Sequence, residues 1–359
     1  MSVPFEITDA DRSFYNSRIR DFLPETMIDV HSHIWDTNSR DEDEINRKQQ
    51  RVVRWPSMVA DVNPVEEHLK TYRLLFPDKT VTPVVFSNLS DAATIDESNR
   101  YVSRASKKHG LPALLYTMPE WTAAEVEERI VQNGFIGIKV YLNLSPAYIP
   151  VKEIRIFDFL PHHQLECINE HCWIVMLHIP RDGRLGDPVN LAQMLEIEER
   201  YPDLRLVIAH AGRAYCMSDT GNAFDVLSDT ERMMFDISAN CNEQVFDSLI
   251  QCVGPKRILF GSDLPILKMR TRRICENGTY INLVPGGLYG DVSADPHMRE
   301  VSGSEAENLT FFMYEEIDAF RRAAEKNSLT EKDIRDIFYT NANEMITGIL
   351  SHVDIPRIE

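Results

Sequence analysis

The sequence predicts an α/β protein built as a single (β/α)8 TIM barrel, with long insertions after the first and eighth strands. Eight short apolar runs rich in β-branched residues recur along the 359 residues of the chain. Amphipathic stretches with helical spacing lie between them, and this alternation is typical of buried parallel strands joined by helical crossovers. Apolar residues make up 43% of the chain, which is enough for a large core. A doubly wound open sheet is the competing topology.

The predicted strands follow one another at intervals that leave room for a helix in most crossovers. In chain order they are Met27–His33, Thr80–Phe86, Leu111–Met118, Phe135–Tyr141, Cys172–His178, Leu204–His210, Arg232–Ile237 and Arg257–Gly261. The clearest helical patterns between them are Thr122–Gln132, Pro188–Arg200 and Asn242–Val253. We interpret residues 1–359 as one domain whose barrel core occupies about residues 27–345.

Three segments depart from a minimal barrel. Ile34–Lys79 is too long for a loop between a strand and its helix, and it holds the charged run at residues 40–44. Leu264–Glu300 follows the eighth strand, and its Asn-Gly, Gly-Gly and Tyr-Gly steps indicate loop structure. Both insertions follow the carboxyl ends of strands, where barrel enzymes build their active sites, so we expect them to cover a substrate. Glu305–Leu350 is predicted to be helical and to supply the eighth helix.

The charge and the cysteines restrict the function classes. The net charge of −18 argues against nucleic acid or an anionic membrane as the main partner and favours a soluble enzyme. Residues 1–20 carry acidic side chains and do not resemble a signal peptide. No apolar stretch approaches the roughly 20 residues that span a bilayer. The six cysteines form no Cys-x-x-Cys pair, which predicts reduced thiols and a cytoplasmic location.

The first predicted strand ends in a pair of histidines, His31 and His33. Because side chains alternate along a strand, both imidazoles lie on the same face. Held there, they can both reach a single metal ion. An isolated His-x-His pair also occurs by chance, so its interpretation depends on what the other strands carry.

Ionisable side chains occur at the carboxyl ends of several other apolar runs. His178 ends the fifth strand, His210 ends the sixth, Asp263 follows the eighth, and Lys139 lies in the fourth. In a parallel barrel the carboxyl ends of all strands meet at one mouth, so these side chains converge there. Each alone could be an ordinary buried polar group, but several at the same end of different strands indicate an active site.

These motifs, taken together, resemble a known family. Those that carry the resemblance are Asp29-Val30-His31-Ser32-His33, Ala209-His210-Ala211-Gly212 and Phe260-Gly261-Ser262-Asp263-Leu264-Pro265. They are similar to motifs of the amidohydrolase superfamily of metal-dependent barrels, and most of all to the amidohydrolase-related subgroup that includes aminocarboxymuconate semialdehyde decarboxylase. The resemblance spans about residues 27–345, and the segment 337–342 is similar to the subgroup's C-terminal helix. The resemblance identifies the fold and the superfamily but gives almost no information about the substrate.

The resemblance implies a metal centre. His31, His33, His178 and Asp263 are expected to bind one divalent ion, with Zn²⁺ as the default and Mn²⁺ or Fe²⁺ suited to the same ligands. Asp263 is then expected to accept a proton from metal-activated water, and His210 to polarise a substrate carbonyl.

Lys139 has three interpretations. In superfamily members with two metals, a lysine that ends the fourth strand is carbamylated and bridges the ions, so a second metal is one alternative. We favour an unmodified Lys139 that binds a substrate carboxylate as a point charge. A lysine whose stem merely lines the barrel is the third interpretation.

Arginines near the predicted mouth indicate a small anionic substrate. Arg181 follows His178 and Arg213 follows His210, and a guanidinium suits a carboxylate or phosphate, while Tyr141 could add an aromatic wall. We therefore predict a hydrolase acting on an amide, lactone or ester bond of a small anionic metabolite. The alternatives are decarboxylation or hydration of an unsaturated or aromatic acid, and a metal-binding barrel without catalysis. A homo-oligomer is compatible with the long insertions.

Overall fold

The computed structural model of the protein describes residues 5–36, 59–88 and 93–350. All eight predicted barrel strands are present in the predicted order. They are β1 (Thr26–His33), β2 (Thr80–Phe86), β3 (Leu115–Tyr116), β4 (Gly137–Val140), β5 (Ile174–Leu177), β6 (Arg205–Ile208), β7 (Met234–Asp236) and β8 (Ile258–Leu259). The charged run at residues 40–44 lies outside the described residues.

The strands form a parallel ring, which confirms the predicted barrel. β1 pairs with β2, and β3 to β8 pair in chain order as a six-stranded sheet. Two parallel bridges join these sheets, one between Val85 and Ala113 and one between Ser32 and Leu264. The second bridge brings the carboxyl ends of β1 and β8 together, so His31, His33 and Asp263 become neighbours.

Several strands are shorter than predicted. β3 pairs over two residues, whereas the apolar run predicts Leu111–Met118. Ala113 and Leu114, just before β3, are completely or almost completely buried. An apolar run reports burial rather than hydrogen-bond pairing, so it overestimates a strand wherever a buried segment enters the sheet.

Helices surround the barrel, and one of them lies in the insertion after β1. They are α1 (Asp9–Phe14), α2 (Val65–Leu75), α3 (Ile95–His109), α4 (Ala123–Asn133), α5 (His162–Glu170), α6 (Pro188–Arg200), α7 (Ala223–Leu227), α8 (Glu243–Val253), α9 (Gly303–Glu307), α10 (Phe312–Lys326), α11 (Glu331–Arg335) and α12 (Asn341–Leu350). A π-helical turn follows α1, and another joins α11 to α12. Within the described ranges, no helix combines the length and the apolar character needed to cross a membrane.

The three helices predicted most clearly begin at capping residues. α6 coincides with the predicted Pro188–Arg200, and the Asp187 carboxylate accepts hydrogen bonds from backbone N–H groups of its first turn. Thr122 and Glu125 form a capping box at the start of α4. Asn242 caps α8 in the same way as Asp187 caps α6. These caps fix where each crossover helix starts.

The insertion after β8 contains a small sheet, so the prediction of loop structure there is wrong. β9 (Arg272–Glu276) and β10 (Thr279–Pro285) form an antiparallel hairpin, and β11 (Met298–Val301) pairs with β10 in parallel. The hairpin turns at Asn277 and Gly278, whose φ angles of 50° and 77° fit a type I′ turn. The residues of β9 are mostly exposed or half-exposed, so no apolar run marks this strand in the sequence.

Cys216 and Cys275 form a disulfide, which contradicts the prediction that the cysteines are all reduced. Cys216 lies in the loop after β6 and Cys275 lies in β9, 59 residues further along the chain. The β9–β10 hairpin brings them together, and no sequence spacing reveals such a pairing. The cysteines described as free are Cys167, Cys172, Cys241 and Cys252. The argument from reduced thiols does not hold for the bonded pair, and the cytoplasmic location stays a prediction.

Candidate metal centre

β1 delivers two histidines to the mouth of the barrel. His31 and His33 are 1% and 8% exposed, and their ring centroids lie 5.6 Å apart. Asp29 fixes the end of this strand, because its carboxylate accepts hydrogen bonds from the backbone N–H groups of His31 and Ser262 at 2.9 and 3.0 Å. β1 is therefore tied to the segment after β8 that carries Asp263.

Asp263 completes a compact set of three potential metal ligands, His31, His33 and Asp263, which we call the central group. The Oδ1 atom of Asp263 lies 3.2 Å from Nε2 of His33 and 3.5 Å from Nε2 of His31. One ligand atom of each residue lies within 4.8 Å of the other two. Asp263 has a left-handed backbone with φ of 55°, a conformation that costs energy for such a residue and is concentrated at functional sites.

The other ring nitrogen of each histidine in the central group is already engaged. Nδ1 of His33 lies 2.9 Å from the Ser87 carbonyl, which can only accept, so this nitrogen carries the proton. Nδ1 of His31 lies 2.8 Å from Oδ2 of Asp236. Nε2 is therefore the nitrogen that each ring presents to the Asp263 carboxylate. A divalent cation fits between them, because it satisfies all three groups at once.

Asp236, at the end of β7, is absent from the sequence-based predictions. It is completely buried, and its Oδ1 accepts hydrogen bonds from the backbone N–H groups of His210 and Ser238 and from the Ser238 hydroxyl. Burial alone would raise the pKa of Asp236, but the adjacent His31 lowers it below its usual range. The signal was the alternation of Asp236 and Ser238 after an apolar run, the same pattern that marks His31 and His33.

His210 packs against the central group. Its ring centroid lies 4.7 Å from that of His31, and its Nδ1 lies 2.9 Å from the Ser238 hydroxyl oxygen. Burial lowers the pKa of His210 to about 3, so the ring is neutral at physiological pH. The backbone is left-handed from His210 (φ 58°) through to Arg213 (φ 59°), which turns the chain sharply after β6.

The structure places His178 beside His210 but outside the central group. Its ring centroid lies 5.3 Å from that of His210 and 4.2 Å from that of Tyr141. Nδ1 of His178 is buried and makes no hydrogen bond to any part of the chain that the structure describes. Burial lowers the pKa of His178 well below its usual value, so the neutral ring keeps a lone pair for a ligand. Its role as a fourth metal ligand stays a prediction.

Lys139 is buried in β4, close to the same carboxylates. It is 2% exposed, and its Nζ lies 5.2 Å from the centroid of the Phe86 ring. Burial lowers the pKa of Lys139 to about 8, and the negative charges of Asp263 and Asp236 oppose this change. The ammonium is therefore near enough to the central group for its charge to act there.

The two predicted substrate-binding arginines lie in different surroundings. Arg213 donates from one guanidinium nitrogen to three consecutive backbone carbonyls after β5, at 3.1, 3.0 and 3.4 Å. Its charge acts on both His178 and Tyr141, which places it beside the candidate site. Arg181 instead pairs with Asp187, at 3.0 Å between Nε and Oδ1. The substrate-binding roles of Lys139, Tyr141 and both arginines stay predictions.

Solved structures of low sequence identity share the fold. A putative 2-pyrone-4,6-dicarboxylic acid hydrolase from Pseudomonas putida is 18% identical, with a TM-score of 0.51 over 91% of this chain and 99% of that chain. An amidohydrolase from Burkholderia multivorans with bound zinc is 12% identical, with a TM-score of 0.55 over 90% and 99%. A dihydroxybenzoic acid decarboxylase from Polaromonas sp. JS666, with bound manganese and the inhibitor 2-nitroresorcinol, is 15% identical, with a TM-score of 0.51 over 90% and 97%.

At these identities the likeness establishes the fold alone, and no curated protein matches the chain. The sequence model of the family described as Amidohydrolase matches residues 28–346. This match covers most of the chain, and it contains the whole central group together with His178, His210 and Asp236. The chain therefore belongs to the amidohydrolase family of metal-dependent barrel enzymes.

Proposed function

We propose that the protein is a hydrolase that cleaves an amide, lactone or ester bond of a small anionic metabolite with the help of one divalent metal. The observation that carries this proposal is the geometry of the central group. Both Nδ1 atoms are engaged, and both Nε2 atoms face one carboxylate. Ligands held in this way by a second layer of hydrogen bonds are typical of catalytic metal sites.

The donor set suits Zn²⁺, Mn²⁺ or Fe²⁺, and we propose Zn²⁺ as the first choice. His178 would complete the set, because its ring packs beside that of His210 and its Nδ1 makes no hydrogen bond to the described part of the chain. When bound, such an ion supplies a Lewis acid that activates water or polarises a substrate oxygen. Two structures of similar fold contain zinc and manganese, which are both among the ions that suit this donor set.

Asp263 and His210 are the proposed proton-transfer and orienting groups. The Ser238 hydroxyl donates to Asp236, so it accepts from Nδ1 of His210, and the neutral ring is left with an accepting Nε2. An accepting Nε2 cannot donate to a substrate carbonyl, so in place of the predicted polarising role we propose that His210 orients an attacking water by accepting its hydrogen bond. Burial would raise the pKa of Asp263, but the hydrogen bond that it accepts from His33 and the surrounding histidines lower it to about 2. The ionised Asp263 can take a proton from the water and return it to the leaving group.

Lys139 and Arg213 are the proposed partners of the substrate's anionic group. Lys139 approaches from β4 and Arg213 from the turn after β6, so together they provide positive charge on two sides of the mouth. Tyr141, stacked near His178, would contribute an aromatic wall. Arg181 is less suited, because Asp187 already occupies its guanidinium. We propose a single metal with an unmodified Lys139; a carbamylated Lys139 bridging two metals is the alternative.

Decarboxylation or hydration of an unsaturated or aromatic acid is the second candidate function. The observation that favours it is the burial of the site, since His31, His33, Lys139 and Asp263 are 1%, 8%, 2% and 6% exposed. Weak solvation of a substrate carboxylate in such a site favours loss of carbon dioxide. Asp263 or His210 would then deliver the proton to carbon.

Parallel assays separate these two functions. Lactones, amides and esters that carry a carboxylate are screened for a newly ionised acid, and muconate-like and aromatic acids are screened for released carbon dioxide. We expect turnover in the first screen, together with one equivalent of metal that depends on His33. Turnover confined to the second screen would replace the hydrolase proposal with the lyase. A His33→Ala variant that keeps its metal and its activity would remove the proposed centre altogether.

A further inference from the structure

We propose a second metal site, for Zn²⁺, on the outside of the barrel, formed by Glu127, Cys167 and His171. We call these three residues the peripheral group. Glu127 lies in α4, Cys167 lies in α5, and His171 directly follows α5. One ligand atom of each lies within 4.8 Å of the other two.

The donors of the peripheral group are those that zinc prefers. Nε2 of His171 lies 3.2 Å from Oε1 of Glu127. Cys167 and His171 are four residues apart, which places them on one face of a helix. Bonds of about 2.0–2.3 Å in a tetrahedral zinc site put neighbouring ligand atoms about 3.3–3.8 Å apart. A spread of at most 4.8 Å therefore needs only small side-chain movements.

The surroundings of the peripheral group favour a bound ion. The His171 ring stacks on Trp173, with centroids 4.2 Å apart and an interplanar angle of 15°, so its direction is fixed. Cys167 is only 6% exposed, whereas the side chains of Glu127 and His171 are 49% and 34% exposed. A cation can therefore enter from solvent and meet the sulfur at the base of the site, while a water completes its coordination.

Negative charge surrounds Cys167, since Glu127 and Glu170 both act on it electrostatically. Reactive cysteines instead have positive neighbours. Carboxylates attract a divalent cation, so these surroundings suit a metal site better than a nucleophile.

The peripheral group is separate from the central group. His171 precedes β5 and His178 follows it, and the four residues of β5 span about 13 Å. The peripheral group therefore lies towards the end of the barrel opposite the mouth. A metal bound there would link α4 to α5 and would take no part in the reaction.

Cobalt substitution tests this proposal through a readout other than activity. The purified full-length protein is freed of metal with a chelator, titrated with Co²⁺ and followed by absorption spectroscopy. A thiolate ligand produces a sulfur-to-cobalt charge-transfer band, whereas the nitrogen and oxygen ligands of the central group do not. We expect two equivalents of Co²⁺ and one such band. Cys167→Ser and His171→Asn should each lose the band and one equivalent, with catalytic activity unchanged.

Two further variants make the outcome decisive. Cys252→Ser, which changes a half-buried helical thiol outside the peripheral group, should keep the band and both equivalents. His33→Asn should lose the central equivalent and keep the band, so failure of the proposed function would leave this result intact. The absence of a band in the unmodified protein, or its survival in Cys167→Ser, would overturn the peripheral site.

Discussion

The central and peripheral groups combine similar donors in opposite surroundings. In the central group the side chains are at most 10% exposed, and each histidine has its second nitrogen fixed by a hydrogen bond. In the peripheral group one ring is held by stacking on Trp173, and two of the three side chains are at least one-third exposed. The ligands of the central group are therefore preorganised, whereas those of the peripheral group must give up conformational freedom when they bind an ion.

This difference predicts an order of affinities and a division of roles. A preorganised site loses little entropy on binding, so the central group should hold its ion more tightly than the peripheral group. It also sits among Lys139, Arg213 and His210, which can act on a substrate. The peripheral group lies among residues of α4, α5 and the segment that leads into β5. Each of the following experiments changes one residue at or near one of the two groups and tests this difference.

The largest effect is expected from Asp263→Asn. The substitution removes the negative charge that faces both Nε2 atoms and the group proposed to move the proton. We expect kcat/KM to fall by about 10³-fold or more, in line with losses of groups that act directly on the transition state. Steady-state kinetics and metal analysis measure this. The cobalt charge-transfer band should persist, and its loss would mean that the two groups are not independent.

Asp236→Asn should have the next largest effect. The amide keeps the shape of the carboxylate but no longer fixes His31 through a charged hydrogen bond. Loss of such a partner typically weakens metal binding by about 10–100-fold. Competition with a chelating dye gives the affinity of the central site. Equal affinities in the variant and the unmodified protein would show that Asp236 is only a structural residue.

Arg213→Gln is expected to act on substrate binding. A hydrogen bond to a charged group contributes roughly 1.5–3 kcal/mol, so KM for an anionic substrate should rise about 10–100-fold with a smaller change in kcat. Arg181→Gln is the matched control, because Arg181 follows β5 in the same region but pairs with Asp187. A larger KM effect for Arg181 than for Arg213 would reverse the proposed assignment.

The smallest effect is expected from Glu127→Gln in metal-free protein. The Glu127–His171 pair is substantially exposed, and such pairs contribute about 0–1 kcal/mol to the free energy of unfolding. Urea denaturation with and without Zn²⁺ measures the difference. Zinc should stabilise the unmodified protein more than the variant, because binding to the folded state alone adds to its stability. Equal stabilisation of both would exclude Glu127 as a ligand.

The barrel and the residues of the central group could be predicted because they depend on local patterns. An apolar run indicates a buried strand. In a parallel barrel the polar residue that ends the run lies at the mouth, and this position does not depend on contacts with distant segments. His31, His33 and Asp263 were accessible in this way. Asp236 follows the same rule, but a single acidic residue after a short run carries a weaker signal than two histidines.

The rest depends on contacts between distant segments. Cys216 meets Cys275 only because the β9–β10 hairpin forms, and that hairpin is marked by little more than Asn277-Gly278. In the peripheral group, the spacing of Cys167 and His171 is visible in the sequence. Their partner Glu127 lies on a neighbouring helix, 40 residues before Cys167 by their numbers, and no pattern in the chain indicates that contact.

The disulfide also separates the residues of the mouth into two sets, according to whether they lie inside or outside the covalent ring that it closes. It closes a covalent ring that runs from Cys216 to Cys275 and encloses β7 and β8. Asp236 and Asp263 lie within this ring, whereas all four histidines of the site precede it. A protease that cuts one bond inside the ring would leave both carboxylates on fragments that stay joined until the disulfide is reduced. The disulfide thus keeps the segment that carries both carboxylates joined after such a cut, whereas a cut among the histidines, which precede the ring, separates the fragments covalently.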